Sequence, residues 1–165
     1  MAEEAWLSGK LDGFSPLMMP AAHALAQAIV DLEKSAAHLT GEELAARPHG
    51  AASVAFHLRH LAGSIDRLLT YARGEELSAA QFEFLKSETA ENSDATAEEL
   101  VGAAGAAIEA ALAFCKTVSP DVLFEERSVG RRKLPTNVFG LLFHIAEHTA
   151  RHVGQITTTA KIVRK

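Results

Sequence analysis

Five of the eight histidines fall in two short runs. His57 and His60 lie in AFHLRHLAGSIDRLL, while His144, His148 and His152 lie in LLFHIAEHTARHVGQI. Neutral imidazole is the commonest protein metal ligand, so clustered histidines point first to a bound divalent ion. Helix neighbours at i and i+4 share a face, which lets His148 and His152 aim two rings at one point. A third imidazole from a facing helix would complete a set of three. That set leaves a coordination position for water or substrate, as catalytic zinc sites do. His23, His38 and His49 stand apart from both runs and read as ordinary surface or hydrogen-bonded residues.

A helical projection at about 100° per residue sorts the candidates. His148 and His152 fall beside Leu141 and Ile145 and face the interior, whereas His144 lies at the rim. On the other run, His57 sits nearer the apolar arc of Leu61, Ile65 and Leu68. His60 lies about 60° further toward the rim. The projection favours His57 slightly, and a site near the bundle mouth could use either. His144-Ile-Ala-Glu147-His148 also fits H-x-x-E-H, the inverted zincin pattern. That pattern needs a further ligand, and no Asp or Glu follows His148, so a peptidase is disfavoured. Glu147 is expected to pair with Arg151 at i+4 or to accept a hydrogen bond behind a ligand.

These residues need helices to position them, and the composition supplies helix formers. Alanine, which ranks first in helix propensity, fills 31 of 165 positions. The spacing predicts four long amphipathic helices. The first runs from about Ser15 to Leu39 and is stopped by Gly41. The second starts after Ser53, an N-cap, and ends at Gly74. The third opens with the capping box Thr96-Ala-Glu-Glu99 and reaches about Thr117. The fourth begins at Thr136, after Pro135, and continues almost to the C-terminus. Residues 75–95 and 118–135 form long connections, with a short helix expected over Leu77 to Lys86 and a small hairpin around Val129-Gly130. The expected fold is all-α, one four-helix-bundle domain over residues 1–165. Long crossovers permit parallel neighbours, so simple up-down-up-down order is not required.

Charge and composition narrow the function classes. The chain carries 16 Lys+Arg against 21 Asp+Glu, a net charge of −5. That balance, with no recognition motif, argues against nucleic-acid partners. The acidic N-terminus, MAEEAWLSGK, has no secretory h-region, and the weakly polar stretch Val101 to Cys115 is interrupted by Glu109 and too short to span a bilayer. The single Cys115 lies among apolar neighbours and reads as a small buried hydrophobe. A cytoplasmic protein without a membrane partner is the expectation.

The string His148-Thr-Ala-Arg-His152-Val-Gly-Gln155-Ile, with His60-Leu61-Ala62-Gly63-Ser64 on the second helix, resembles the DinB/YfiT-like superfamily of metal-dependent enzymes. The resemblance covers the whole chain. It departs from the family's H-x-x-x-H-R-G-Q at Val153, where an arginine is common, while Arg151 stands two positions earlier. The resemblance implies a DinB-like four-helix bundle with His60, His148 and His152 as ligands of Zn²⁺, Ni²⁺ or a similar ion. His57, His144, Glu147 and Gln155 become outer partners or alternative ligands, and Gly154 a point of close helix approach. It further implies a transferase that activates a low-molecular-weight thiol against a small electrophilic substrate, as in bacillithiol S-transferases and a mycothiol-dependent isomerase. Homodimerisation is implied as well. Arg127, Arg131, Arg132 and Lys133 could hold carboxylates of such a thiol, or be a solvated loop paired with Glu125 and Glu126. A metal-binding stress-response protein without catalysis and a structural dimerising bundle are the competing readings.

Overall fold

The computed structural model describes residues 4–89 and 94–164. Its helices are α1 (Met19–Ala36), α2 (Gly41–Ala45), α3 (Val54–Ala72), α4 (Ala79–Ser87), α5 (Ala97–Thr117) and α6 (Val138–Val163). Two strands, β1 (Glu126–Val129) and β2 (Leu134–Asn137), form an antiparallel hairpin between α5 and α6. The long helices are the four that the periodicity predicts, and the all-α expectation holds.

Local chemistry explains the boundaries, including those that differ from expectation. α1 begins at Met19 rather than Ser15, with Pro20 in the first turn, where a missing N–H costs nothing. Gly41 does not stop α1, which ends at Ala36; it opens α2 instead. Thr40 Oγ1 accepts from the Glu43 N–H at 3.3 Å, and the Glu43 carboxylate accepts from the Thr40 N–H at 2.8 Å. This capping box offsets the poor helix propensity of glycine. Ser53 caps α3, and Gly74, at φ +80°, ends it with the Glu75 N–H bonded to the Thr70 carbonyl. The fourth helix starts at Val138, not Thr136. Thr136 belongs to β2, and Asn137 is the cap, accepting from the Gly140 N–H at 2.7 Å.

Packing makes a ring in which α1 touches α6, α6 touches α3, α3 touches α5 and α5 touches α1. Cross-contacts fix the directions. His57 meets His152 and His60 meets His148, so α3 and α6 run antiparallel. Arg73 lies over Phe114 at one end of α3, and Ala95 lines a cavity with Phe56 at the other, so α3 and α5 run parallel. The crossover through α4 makes that possible. Leu25, Leu58, Leu61, Ile108, Leu142 and Ile156 are sealed from solvent in the centre. Leu17, inside the span expected for the first helix, precedes α1 and is exposed.

The 21-residue α5 is longer than the Val101 to Cys115 stretch suggests, and by length and composition alone it could cross a membrane. Its Ala104, Ile108 and Ala111 are instead fully buried within the bundle. Cys115 is buried too, and burial pushes its thiol up to about 11, which removes it as a nucleophile at neutral pH.

The Thr96 box closes the N-terminus of α5 from both sides, with the Glu99 N–H and the Thr96 N–H each satisfied. Thr96→Ala should therefore lower stability by about 1 kcal/mol, read as a reduced midpoint in thermal circular dichroism.

Candidate metal centre

The antiparallel crossing of α3 and α6 turns two sequence runs into a ladder. A three-residue step on α3 faces a four-residue step on α6, both close to one helical turn. His57 Nδ1 lies 2.9 Å from His152 Nδ1, and His60 Nε2 lies 3.4 Å from His148 Nε2. One ligand nitrogen each from His60, His148 and His152 falls within 4.8 Å of the others. Tetrahedral zinc with bonds of 2.0–2.1 Å separates its nitrogen ligands by about 3.3–3.4 Å. The His60–His148 pair already stands at that spacing, and His152 offers its nitrogen within 4.8 Å of both.

The structure brings together the three residues to which the resemblance points and places the others around them. His57 is the more buried of the α3 pair, as the projection favours, but it stands behind His152 as a hydrogen-bond partner. A His152 ring that keeps Nε2 free for an ion carries its proton on Nδ1 and donates to His57. The Phe56 ring stacks on His60 with centroids 5.6 Å apart and an interplanar angle of 10°. His144 lies outside the group of three, exposed, with its Nδ1 2.7 Å from Glu147 Oε1. Glu147 also takes Arg151 Nε at 2.8 Å, so the i+4 ion pair forms. His144 and Glu147 of H-x-x-E-H thus pair with each other.

Three expectations need correction or narrowing. Gly154 does not admit a neighbouring helix, since a Cβ there would meet nothing within 4 Å. Gln155 is exposed on the outside of α6. Arg127, Arg131 and Lys133 line a cavity at the hairpin with Tyr71 and Gly74, at the far end of α3 from His60. At 12 residue steps along the helix from His60 to Ala72, that is roughly 18 Å away. Arg127 Nε donates to the Ala72 carbonyl at 2.9 Å and its Nη2 to Glu125 at 3.0 Å, a helix-end clamp rather than a site residue. Of the isolated histidines, His23 bonds the Gly9 carbonyl through Nε2 at 2.8 Å.

Sequence reasoning missed Glu88. This residue ends α4 in the long connection, yet it is only 2% exposed. Its Oε2 lies 2.8 Å from His60 Nδ1, and its Oε1 accepts from Arg67 Nη1 at 2.6 Å. Gly63 makes the approach possible, because a Cβ there would overlap the Glu88 carboxylate and the Phe84 ring. Two signals stood in the sequence. Arg67, seven residues after His60, repeats its position on the helix face. A glycine inside a helix often marks a close approach.

The electrostatics favour ligands over acids. Burial, and then repulsion from His60, His144 and Arg151, push His148 down to about 4. Burial, followed by repulsion from His148, His60 and His57, pushes His152 to about 3. Both rings are neutral at pH 7, with lone pairs available to a cation. Burial would raise Glu88, but hydrogen bonds from His60 and Arg67 outweigh it and keep the carboxyl below its usual value.

A pH dependence follows. His148 and His152 bind protons less readily in the folded chain than at their ordinary 6.5. As pH falls below about 6.5, the unfolded chain takes up protons first and metal-free stability drops. This loss continues toward about 4 for His148 and about 3 for His152, and above pH 7 the two rings contribute no slope. Denaturant melts between pH 4 and 7 should show a steeper decline for the metal-free wild type than for His148→Gln/His152→Gln. Equal slopes would contradict this assignment.

Residues 24–156 match the sequence profile of the DinB superfamily, a span from α1 into α6 that includes every histidine of the ladder. No curated protein matches the chain. With four-fifths of its residues covered by that one profile and the helices in place, the chain belongs to the DinB superfamily.

Proposed function

We propose that this protein is a divalent-metal-dependent transferase acting through a low-molecular-weight thiol, with the ion held by His60, His148 and His152. The 3.4 Å separation of the His60 and His148 Nε2 atoms, with His152 in reach, carries the reading. Three neutral imidazoles suit Zn²⁺ and Ni²⁺, and availability decides between such ions. Among the described residues the group has three members, which leaves coordination positions for an outside ligand.

When bound, the ion supplies Lewis acidity that favours thiolate over thiol at neutral pH. The chain's own residues hold the arrangement. Glu88 meets His60 at Nδ1, His57 meets His152, and Phe56 stacks on the His60 ring. In the transfer itself the thiol proton leaves to solvent and sulfur bonds an electrophilic carbon. The leaving group departs with its bonding pair.

One observation favours a second reading, a metal-binding protein without catalysis. Glu147, the carboxylate of the H-x-x-E-H run, is engaged by Arg151 and His144. Metal analysis by mass spectrometry on tag-free protein comes first. It should find about one divalent ion per chain, lost in His60→Ala, His148→Ala and His152→Ala and retained in His144→Ala. Metal-dependent consumption of a thiol with an alkylating electrophile, absent in His148→Ala, then separates enzyme from binder. No ion after reconstitution with Zn²⁺ or Ni²⁺ overturns both readings.

A further inference from the structure

We infer that Glu88 is a positioning residue for His60, held in place by Arg67 and admitted by Gly63, so that the α3–α5 crossover is part of the metal centre. The inference rests on the proposed metal reading. An ionised carboxylate can only accept hydrogen bonds, so Glu88 Oε2 at 2.8 Å obliges His60 Nδ1 to carry the ring proton. That tautomer leaves the lone pair on Nε2, the atom that faces His148. Arg67, on the other carboxylate oxygen at 2.6 Å, balances the charge of the carboxylate.

Stability alone gives little reason for this arrangement. Glu88 sits at the C-terminal end of α4, where a helix disfavours negative charge. It is 2% exposed, and buried ion pairs often contribute no more than well-packed apolar residues would. Gly63 adds the penalty of a glycine inside α3, where alanine is the better helix former. All three costs converge on one contact, between a carboxylate and the outer nitrogen of a candidate ligand. Partners of this kind orient metal-binding imidazoles and raise their basicity.

The test uses the full chain and two readouts. In the metal-free wild type, long-range ¹H–¹⁵N correlation should show His60 as the Nδ1–H tautomer. In Glu88→Gln that preference should be lost, and Zn²⁺ affinity, measured against a chromophoric chelator, should weaken by about 10–100-fold. Gly63→Ala, which leaves every histidine and charge intact, should weaken Zn²⁺ binding in the same direction. A wild-type His60 protonated on Nε2 overturns the inference without reference to any variant. So does a folded Glu88→Gln with unchanged tautomer and Zn²⁺ affinity, which would make the pair a docking contact only. Failure of the wild type to take up Zn²⁺ at all contradicts the metal reading, and the inference falls with it.

Discussion

Partly burying His57, His148 and His152 at one crossing of two helices is possible only if those rings stay uncharged and the N–H groups at the crossing find acceptors. Desolvation and mutual repulsion enforce the first condition, most strongly at His152 and His148. Glu88 and the His57–His152 contact address the second. Removing protons from the rings leaves lone pairs directed into a small space. Such a space repels protons and suits a divalent cation, so the requirement for neutrality is also what makes the site ligand-like.

The bundle topology follows from where those rings must meet. α3 and α6 run antiparallel, which sets a turn of one against a turn of the other at both rungs of the ladder. α5 then packs parallel to α3, and the chain must return along the bundle before starting it. That return contains α4, and α4 delivers Glu88. A short antiparallel turn in place of the crossover would preserve the helices but could not supply this carboxylate. The hairpin before α6 serves the opposite end of the bundle, where Arg127 closes α3 through the Ala72 carbonyl.

Much of this was legible in the sequence because it depends on local rules. The i, i+4 pair His148 and His152, the caps Ser53 and Thr96, and Gly74 at the end of α3 each require only neighbours within one turn. The short helix and hairpin were legible for the same reason, within a residue or two. Competing local signals shifted the boundaries: Thr40 with Glu43 outweighed Gly41, and Asn137 capped α6 in place of Thr136. The choice between His57 and His60 could not be settled by a projection of one helix, since it depends on the tilt of α6 against α3. Glu88 was hidden for a similar reason. Its partners lie 21 and 28 residues away, and only its place in space distinguishes it from other carboxylates in an acidic chain. Arg127 pairs with Glu125, as the solvated-loop reading expects, and its guanidinium also serves a helix end, a contact 55 residues away in the chain that local charge does not reveal.

The central claim is that one divalent ion sits between α3 and α6 on three imidazoles. Anomalous diffraction at the zinc edge from Zn²⁺-loaded crystals tests it most directly. The account predicts a single peak about 2.0–2.1 Å from nitrogens of His60, His148 and His152, with Glu88 still on His60 Nδ1. A peak bound through His57 or His144 in place of His60, or no peak at the crossing, would contradict it.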